Sequence, residues 1–122
     1  MSLIVNLKES GPLSLAQMTQ NEEKPILVDF WAPWCDPCVR MSPILEQVAK
    51  ALDGAAVVCK ANIDDLDELA EQFEIKSIPF FLIYNSKGQI VKKFSGTLSK
   101  ENLMNALINA DKVSNTLTNE SA

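Results

Sequence analysis

A chain of 122 residues, 47% hydrophobic and 22% charged, has the size and composition of one globular domain and is too short for two separate cores. Eleven Lys and Arg against sixteen Asp and Glu leave a net charge of -5, with Arg40 as the only arginine, which excludes the basic surface that nucleic acid requires. Histidine is absent, which removes every Ser-His and Cys-His catalytic arrangement and every His-ligated metal site, and three cysteines fall short of an all-cysteine zinc site.

Met1 to Ser10 has no basic region followed by an apolar core, so no secretory signal is expected there: the expectation is a cytoplasmic protein, or else one whose leader has been removed. Charges or turn residues also interrupt every apolar run well before the length a spanning helix needs. Pro12 at a first helical position, with Leu15 and Met18 following, predicts an N-terminal helix. The run Ile26-Leu27-Val28-Asp29-Phe30-Trp31, bounded by Pro25 and Pro33, predicts a strand buried on both faces. From Cys35 to Leu52, the residues Met41, Ile44, Leu45, Val48 and Leu52 recur at helical spacing, and Pro43 inside that stretch predicts a kink. A second strand is expected from Ala55 to Ile63. Asp65 with Glu68 then reads as a helix start, ahead of the stripe Leu66, Leu69, Ala70 and Phe73.

Phe80 to Tyr84 and Ile90 to Phe94 form a strand pair around the loop Asn85-Ser86-Lys87-Gly88, in which Gly88 can take positive φ. Ser99 caps a last helix with Leu103, Ala106, Leu107 and Ala110 on its inner face. Strand-helix-strand units pair in parallel and the hairpin adds antiparallel strands, so the class is α/β, a mixed sheet with helices on both faces. Residues 1–110 form the domain. From Asp111 the sequence turns polar, and 111–122 is expected to be a disordered tail.

Cys35-Asp36-Pro37-Cys38 stands where the first of these strands hands over to the long helix. Positions i and i+3 share a helix face at separations that suit a disulfide, so two sulfurs there can close and open with little backbone movement. At the helix N-terminus Cys35 meets unpaired N–H groups and the positive end of the dipole, which favour its thiolate. Cys38, one turn in, is more shielded, so Cys35 attacks and Cys38 resolves. The plainer alternatives are a structural disulfide, although so small a loop gains little from a cross-link, or zinc, which lacks ligands. Thiol-disulfide exchange is the favoured reading.

Asp29 shares strand parity with Leu27 and Trp31 and faces the interior behind the cysteines. Desolvation there raises a carboxyl pKa toward what a general base for the Cys38 thiol needs, while the plainer and compatible reading is an acid paired with Lys60. Cys59, next to Lys60, falls on the opposite sheet face and reads as a small buried apolar residue. The acids Asp64, Asp65, Asp67, Glu68, Glu71 and Glu74 read as the solvated side of a helix.

The segment Phe30-Trp31-Ala32-Pro33-Trp34-Cys35-Asp36-Pro37-Cys38 resembles the active-site segment of the thioredoxin family. Asp29, Lys60, Ile78-Pro79 and Gly96 extend the resemblance over roughly Leu13 to Ala110. It implies the thioredoxin fold, with a mixed central sheet of about five strands, and disulfide reductase activity. It also implies a cis Pro79, the catalytic set Cys35, Cys38, Asp29 and Lys60, and substrate contacts at Trp34, Pro37, Ile78, Pro79 and Gly96, with Trp31 in packing. By the same resemblance the chain is a monomer that binds no cofactor or metal. It reduces disulfide-containing proteins and is itself re-reduced by thioredoxin reductase with NADPH. Nucleic acid and membrane are not expected partners.

Two positions depart from the family pattern. Asp36 stands where glycine is usual, and Phe80 follows the proline where threonine is common. A carboxylate at 36 disfavours the neighbouring Cys35 thiolate and so tunes the reduction potential.

Overall fold

Strand β2 (Ile26–Trp31) explains most of the architecture, because its first five residues are all buried and a strand without a wet side must be covered on both faces. The computed structural model describes residues 3–112. In chain order the remaining elements are β1 (Val5–Asn6), α1 (Leu15–Asn21), α2 (Asp36–Ala51), β3 (Val57–Asn62), α3 (Asp67–Gln72), β4 (Phe80–Tyr84), β5 (Ile90–Ser95) and α4 (Lys100–Ile108). The five strands lie in the order β1-β3-β2-β4-β5. β1 and β2 pair with β3 in parallel, whereas β4 runs antiparallel to both β2 and β5. The expected mixed sheet is therefore present.

Alternation along the central strands sorts the core into two layers. Leu27, Phe81 and Ile83 meet Met41, Leu45 and Val48 of α2 and Leu103 and Leu107 of α4 on one face. Ile26, Val28, Phe30, Leu82 and Tyr84 meet Leu15 and Met18 of α1 on the other, with Leu69 and Phe73 at its margin. The Phe30 and Phe73 rings lie 6.0 Å apart at 54°, which ties β2 to the end of α3.

Three local expectations need correction. Pro12 does not open α1: it lies in the turn closed by Ser14 N–H on the Gly11 carbonyl at 3.0 Å, and the Ser14 hydroxyl caps the helix by accepting from Gln17 N. Asp65 and Glu68 do not form a capping box, since Asp64 N and Leu66 N both turn back to Asn62 before α3 starts at Asp67. Edge strand β1 was not expected at all; it adds two residues against Cys59 and Lys60.

The other helix starts and the hairpin fall where the residues placed them. Ser99 accepts from Asn102 N at 3.1 Å, and Gly88 takes φ +78° in the loop between β4 and β5. Pro43 stands inside α2, which runs on to Ala51. Asp111, the first residue of the polar tail, accepts from Ser86 N and Oγ at 2.7 and 2.8 Å and so fastens the end of α4 to the hairpin loop. The expected disorder from residue 113 onward lies outside the described residues.

Gly54 and Gly88 both have positive φ, but they differ in surroundings. A Cβ at Gly54 would meet open space, while one at Gly88 would collide with the backbone carbonyl of Thr19 at the end of α1. Gly54→Ala is expected to lose about 1–2 kcal/mol from the left-handed conformation alone. Gly88→Ala should lose clearly more, because backbone must move as well. Urea denaturation of the two variants checks this, and equal losses would show that the hairpin yields to α1 without cost.

Candidate active site

The redox pair is built by the handover from β2 to α2. After Trp31 the chain turns through Ala32, Pro33 and Trp34, held by a bond from Cys35 N–H to the Ala32 carbonyl at 3.1 Å, and Cys35 becomes the N-cap of α2. Its sulfur accepts from Cys38 N–H at 3.3 Å, as a capping side chain does. Pro37 costs nothing here, because an N–H in the first turn has no partner within the helix anyway. Cys35 and Cys38 are joined as a disulfide with Cα atoms 5.2 Å apart. Cys35 is 7% exposed and Cys38 0%, so only the first sulfur has an outward side.

A second segment reaches the same sulfur from across the fold. The Ile78-Pro79 bond is cis, as the resemblance implied, and the Ile78 carbonyl oxygen lies 3.8 Å from Cys35 Sγ. Gly96, at φ +90°, donates its N–H to the Pro79 carbonyl at 2.9 Å, and the Ser77 and Ser95 hydroxyls meet at 2.9 Å. The loop before β4 and the end of β5 are thereby clamped side by side against the cysteines. Among the expected substrate contacts, Trp34 is 66% exposed, Pro37, Ile78 and Gly96 are half-buried, and Pro79 is buried.

Trp34 is also held. Its indole N–H donates to both carboxylate oxygens of Asp64, at 3.2 and 3.1 Å. The acid run after β3 was read as solvated surface, and nothing in that run marks Asp64 as the one that reaches back to the site.

Asp29 is where its parity placed it, fully buried on the α2 face of the sheet, and neither carboxylate oxygen has a hydrogen-bond partner. Burial pushes its pKa up to about 7, against a smaller downward pull from Lys60. The direct pairing of the two residues is not formed. Lys60 is the register partner of Asp29 on β3, but its ammonium donates to Ser42 Oγ at 3.3 Å and sits 4.0 Å from the centroid of Trp31. Cys59 lies buried in the opposite layer, its thiol pushed up to about 12, first by burial and then by Glu22, and it has no part in the site.

The thioredoxin family model matches residues 10–109. The chain belongs to the thioredoxin family. A thioredoxin of Alicyclobacillus acidocaldarius is 44% identical over 81 residues, which are 66% of this chain and 76% of that protein. The bifunctional thioredoxin reductase/thioredoxin of Mycobacterium leprae is 38% identical over 87 residues, 71% of this chain and 19% of the relative. The solved structure of a mutant thioredoxin from Halobacterium salinarum superposes with a TM-score of 0.77 over 90% of this chain and 94% of that one, at 24% identity, and so supports the fold. As a thioredoxin-family member, the chain is a thiol-disulfide oxidoreductase that reduces protein disulfides through the Cys35/Cys38 pair. No helix among the described residues is long and apolar enough to cross a membrane.

The raised pKa of Asp29 makes stability depend on pH. Below about pH 4 both folded and unfolded chains hold the proton and burial of the acid costs nothing extra; as pH rises toward 7 the unfolded chain ionises first, so the native state loses stability, by about 4 kcal/mol once both are ionised. Asp29→Asn cannot ionise. Its stability relative to the parent should therefore improve by about 4 kcal/mol between about pH 4 and pH 8, read from urea denaturation of the oxidised proteins. A difference that stays flat with pH would show that the native carboxyl is ionised throughout.

Proposed function

We propose that the two cysteines divide the work by position and that buried Asp29 handles the proton between them. The observation that carries this reading is the asymmetry of the pair, one sulfur capping the helix on a residue that keeps 7% exposure and the other fully enclosed one turn later. The helix N-terminus favours the Cys35 thiolate, which attacks one sulfur of a substrate disulfide. A bond forms from Cys35 to that sulfur, and the other substrate sulfur leaves as a thiolate and takes up a proton. The Cys38 thiol then gives its proton to the Asp29 carboxylate and attacks Cys35 Sγ. The mixed disulfide breaks, the second substrate sulfur leaves with the electron pair, and two electrons have passed from the dithiol to the substrate.

Trp34, Pro37, Ile78 and Gly96, with Pro79 behind them, make the surface on which the substrate chain rests beside Cys35. Lys60 moderates the charge on Asp29 from the neighbouring strand. The protein works as a cytoplasmic monomer and is returned to its dithiol form by a thioredoxin reductase that draws on NADPH. The relative from Mycobacterium leprae, in which reductase and thioredoxin share one polypeptide, favours such a partner.

Dithiothreitol-driven reduction of insulin tests the division of labour. Cys35→Ser is expected to abolish turnover, and Cys38→Ser to accumulate a mixed disulfide. Asp29→Asn should slow resolution more than attack, since an amide cannot take the Cys38 proton. Stopped-flow traces in which both steps slow equally, or neither does, would remove Asp29 from that role.

Asp36 supplies a further test. It occupies the first turn of α2 next to Cys35, exposed to solvent. Its contribution to the helix start is the same in both redox states, whereas its repulsion acts only on the thiolate of the reduced form. Replacement by glycine should raise the reduction potential by about 5 to 30 mV, measured by equilibration in glutathione buffer. An unchanged or lower potential contradicts the electrostatic account.

A further inference from the structure

The mechanism leaves one arrangement without a purpose. Asp29 and Lys60 are register partners on adjacent parallel strands, pointing to the same sheet face at a strand spacing of about 4.8 Å. A buried carboxylate and an ammonium so placed ordinarily pair, because each relieves the other's desolvation. Here the carboxylate has no partner, and the ammonium is turned to the Ser42 hydroxyl at 3.3 Å with the Trp31 ring 4.0 Å beneath it. Ser42 lies on α2, half-buried beside Met41, so its oxygen is presented from the helix that roofs this face.

We propose that Ser42 is a positioning residue for disulfide exchange: together with Trp31 it holds the Lys60 ammonium away from Asp29, so that the Asp29 carboxyl remains a proton acceptor for Cys38 rather than half of an ion pair. This rests on the reading of Asp29 as the base. An ion-paired carboxylate binds a proton less tightly, and a base too weak to hold the Cys38 proton at working pH transfers it poorly. In the step concerned, the Cys38 S–H proton passes to Asp29 and the sulfur keeps the electron pair with which it attacks Cys35.

The other surroundings of Asp29 offer no competing charge. β4 places Phe81 opposite it, and α2 and α4 contribute Met41, Leu45 and Leu103 to this layer, with Cys38 in the separate cluster it forms with Ala32 and Cys35, so Lys60 is the charged side chain whose field acts on Asp29 among the described residues. Removing the hydroxyl leaves the ammonium free to turn to the carboxylate of Asp29, its register partner on the neighbouring strand.

The test is a carbon-detected NMR titration of the Asp29 carboxyl in the oxidised protein. Ser42→Ala is expected to lower the Asp29 midpoint by about one pH unit, whereas Ser42→Thr, which keeps the hydroxyl, should restore it. In a Lys60→Met background, Ser42→Ala should have no effect on the midpoint. A midpoint that Ser42→Ala leaves unchanged or raises, or a shift that persists without Lys60, overturns the assignment. The two readings fail separately: the titration reports on Ser42 whatever Asp29 does in catalysis, and an Asp29→Asn variant with unaltered resolution overturns the base role instead.

Discussion

A strand that is dry on both sides has no place for a charge, and β2 carries one. The apolar residues around Asp29 force helices onto each face of the sheet, and the same burial makes the carboxyl hold its proton to near neutrality. Fold and chemistry thus share one cause. Stability is given up at the position of Asp29 and recovered from the surrounding apolar layers, as the proposed role of Asp29 as a base requires.

The sulfur site shows a second economy of parts. Cys35 occupies the one helix position where a side chain is needed to satisfy backbone N–H groups, so the same atom starts α2 and, in the proposed division of work, performs the attack. Its outward side is bounded by Trp34, which Asp64 fixes, and by the Ile78 carbonyl, which the cis proline and the Gly96 bond fix. Three parts of the chain distant in sequence therefore hold one sulfur in one orientation, and a substrate finds the geometry already made.

How legible this was varied with the range of the interaction. The Cys35–Cys38 pair, the hairpin loop with Gly88 and the Ser99 cap depend on neighbours within a few residues, and local spacing identified them. The burial of Asp29 followed from alternation along a single strand. Strand β1 did not show, since two residues carry no measurable period and Val5–Asn6 is a strand only because β3 lies beside it. Pro12 suited a helix start by type, but the turn closed by Ser14 N–H claimed it first. The partners of Lys60 and Trp34 were invisible for another reason: Ser42 and Asp64 belong to polar faces, where sequence pattern says only that a residue is not apolar. Tertiary folding alone brings each within bonding distance of one particular donor.

The sheet ends in two unlike margins. β1 offers only two residues beyond β3, and β5 carries the consecutive exposed lysines Lys92 and Lys93, one on each face, before it ends at Ser95. The free backbone groups of another chain would extend any long, uncharged border. One margin is too short to template such a chain and the other meets it with charge. Neither border of the sheet therefore offers a long, uncharged template for strand addition.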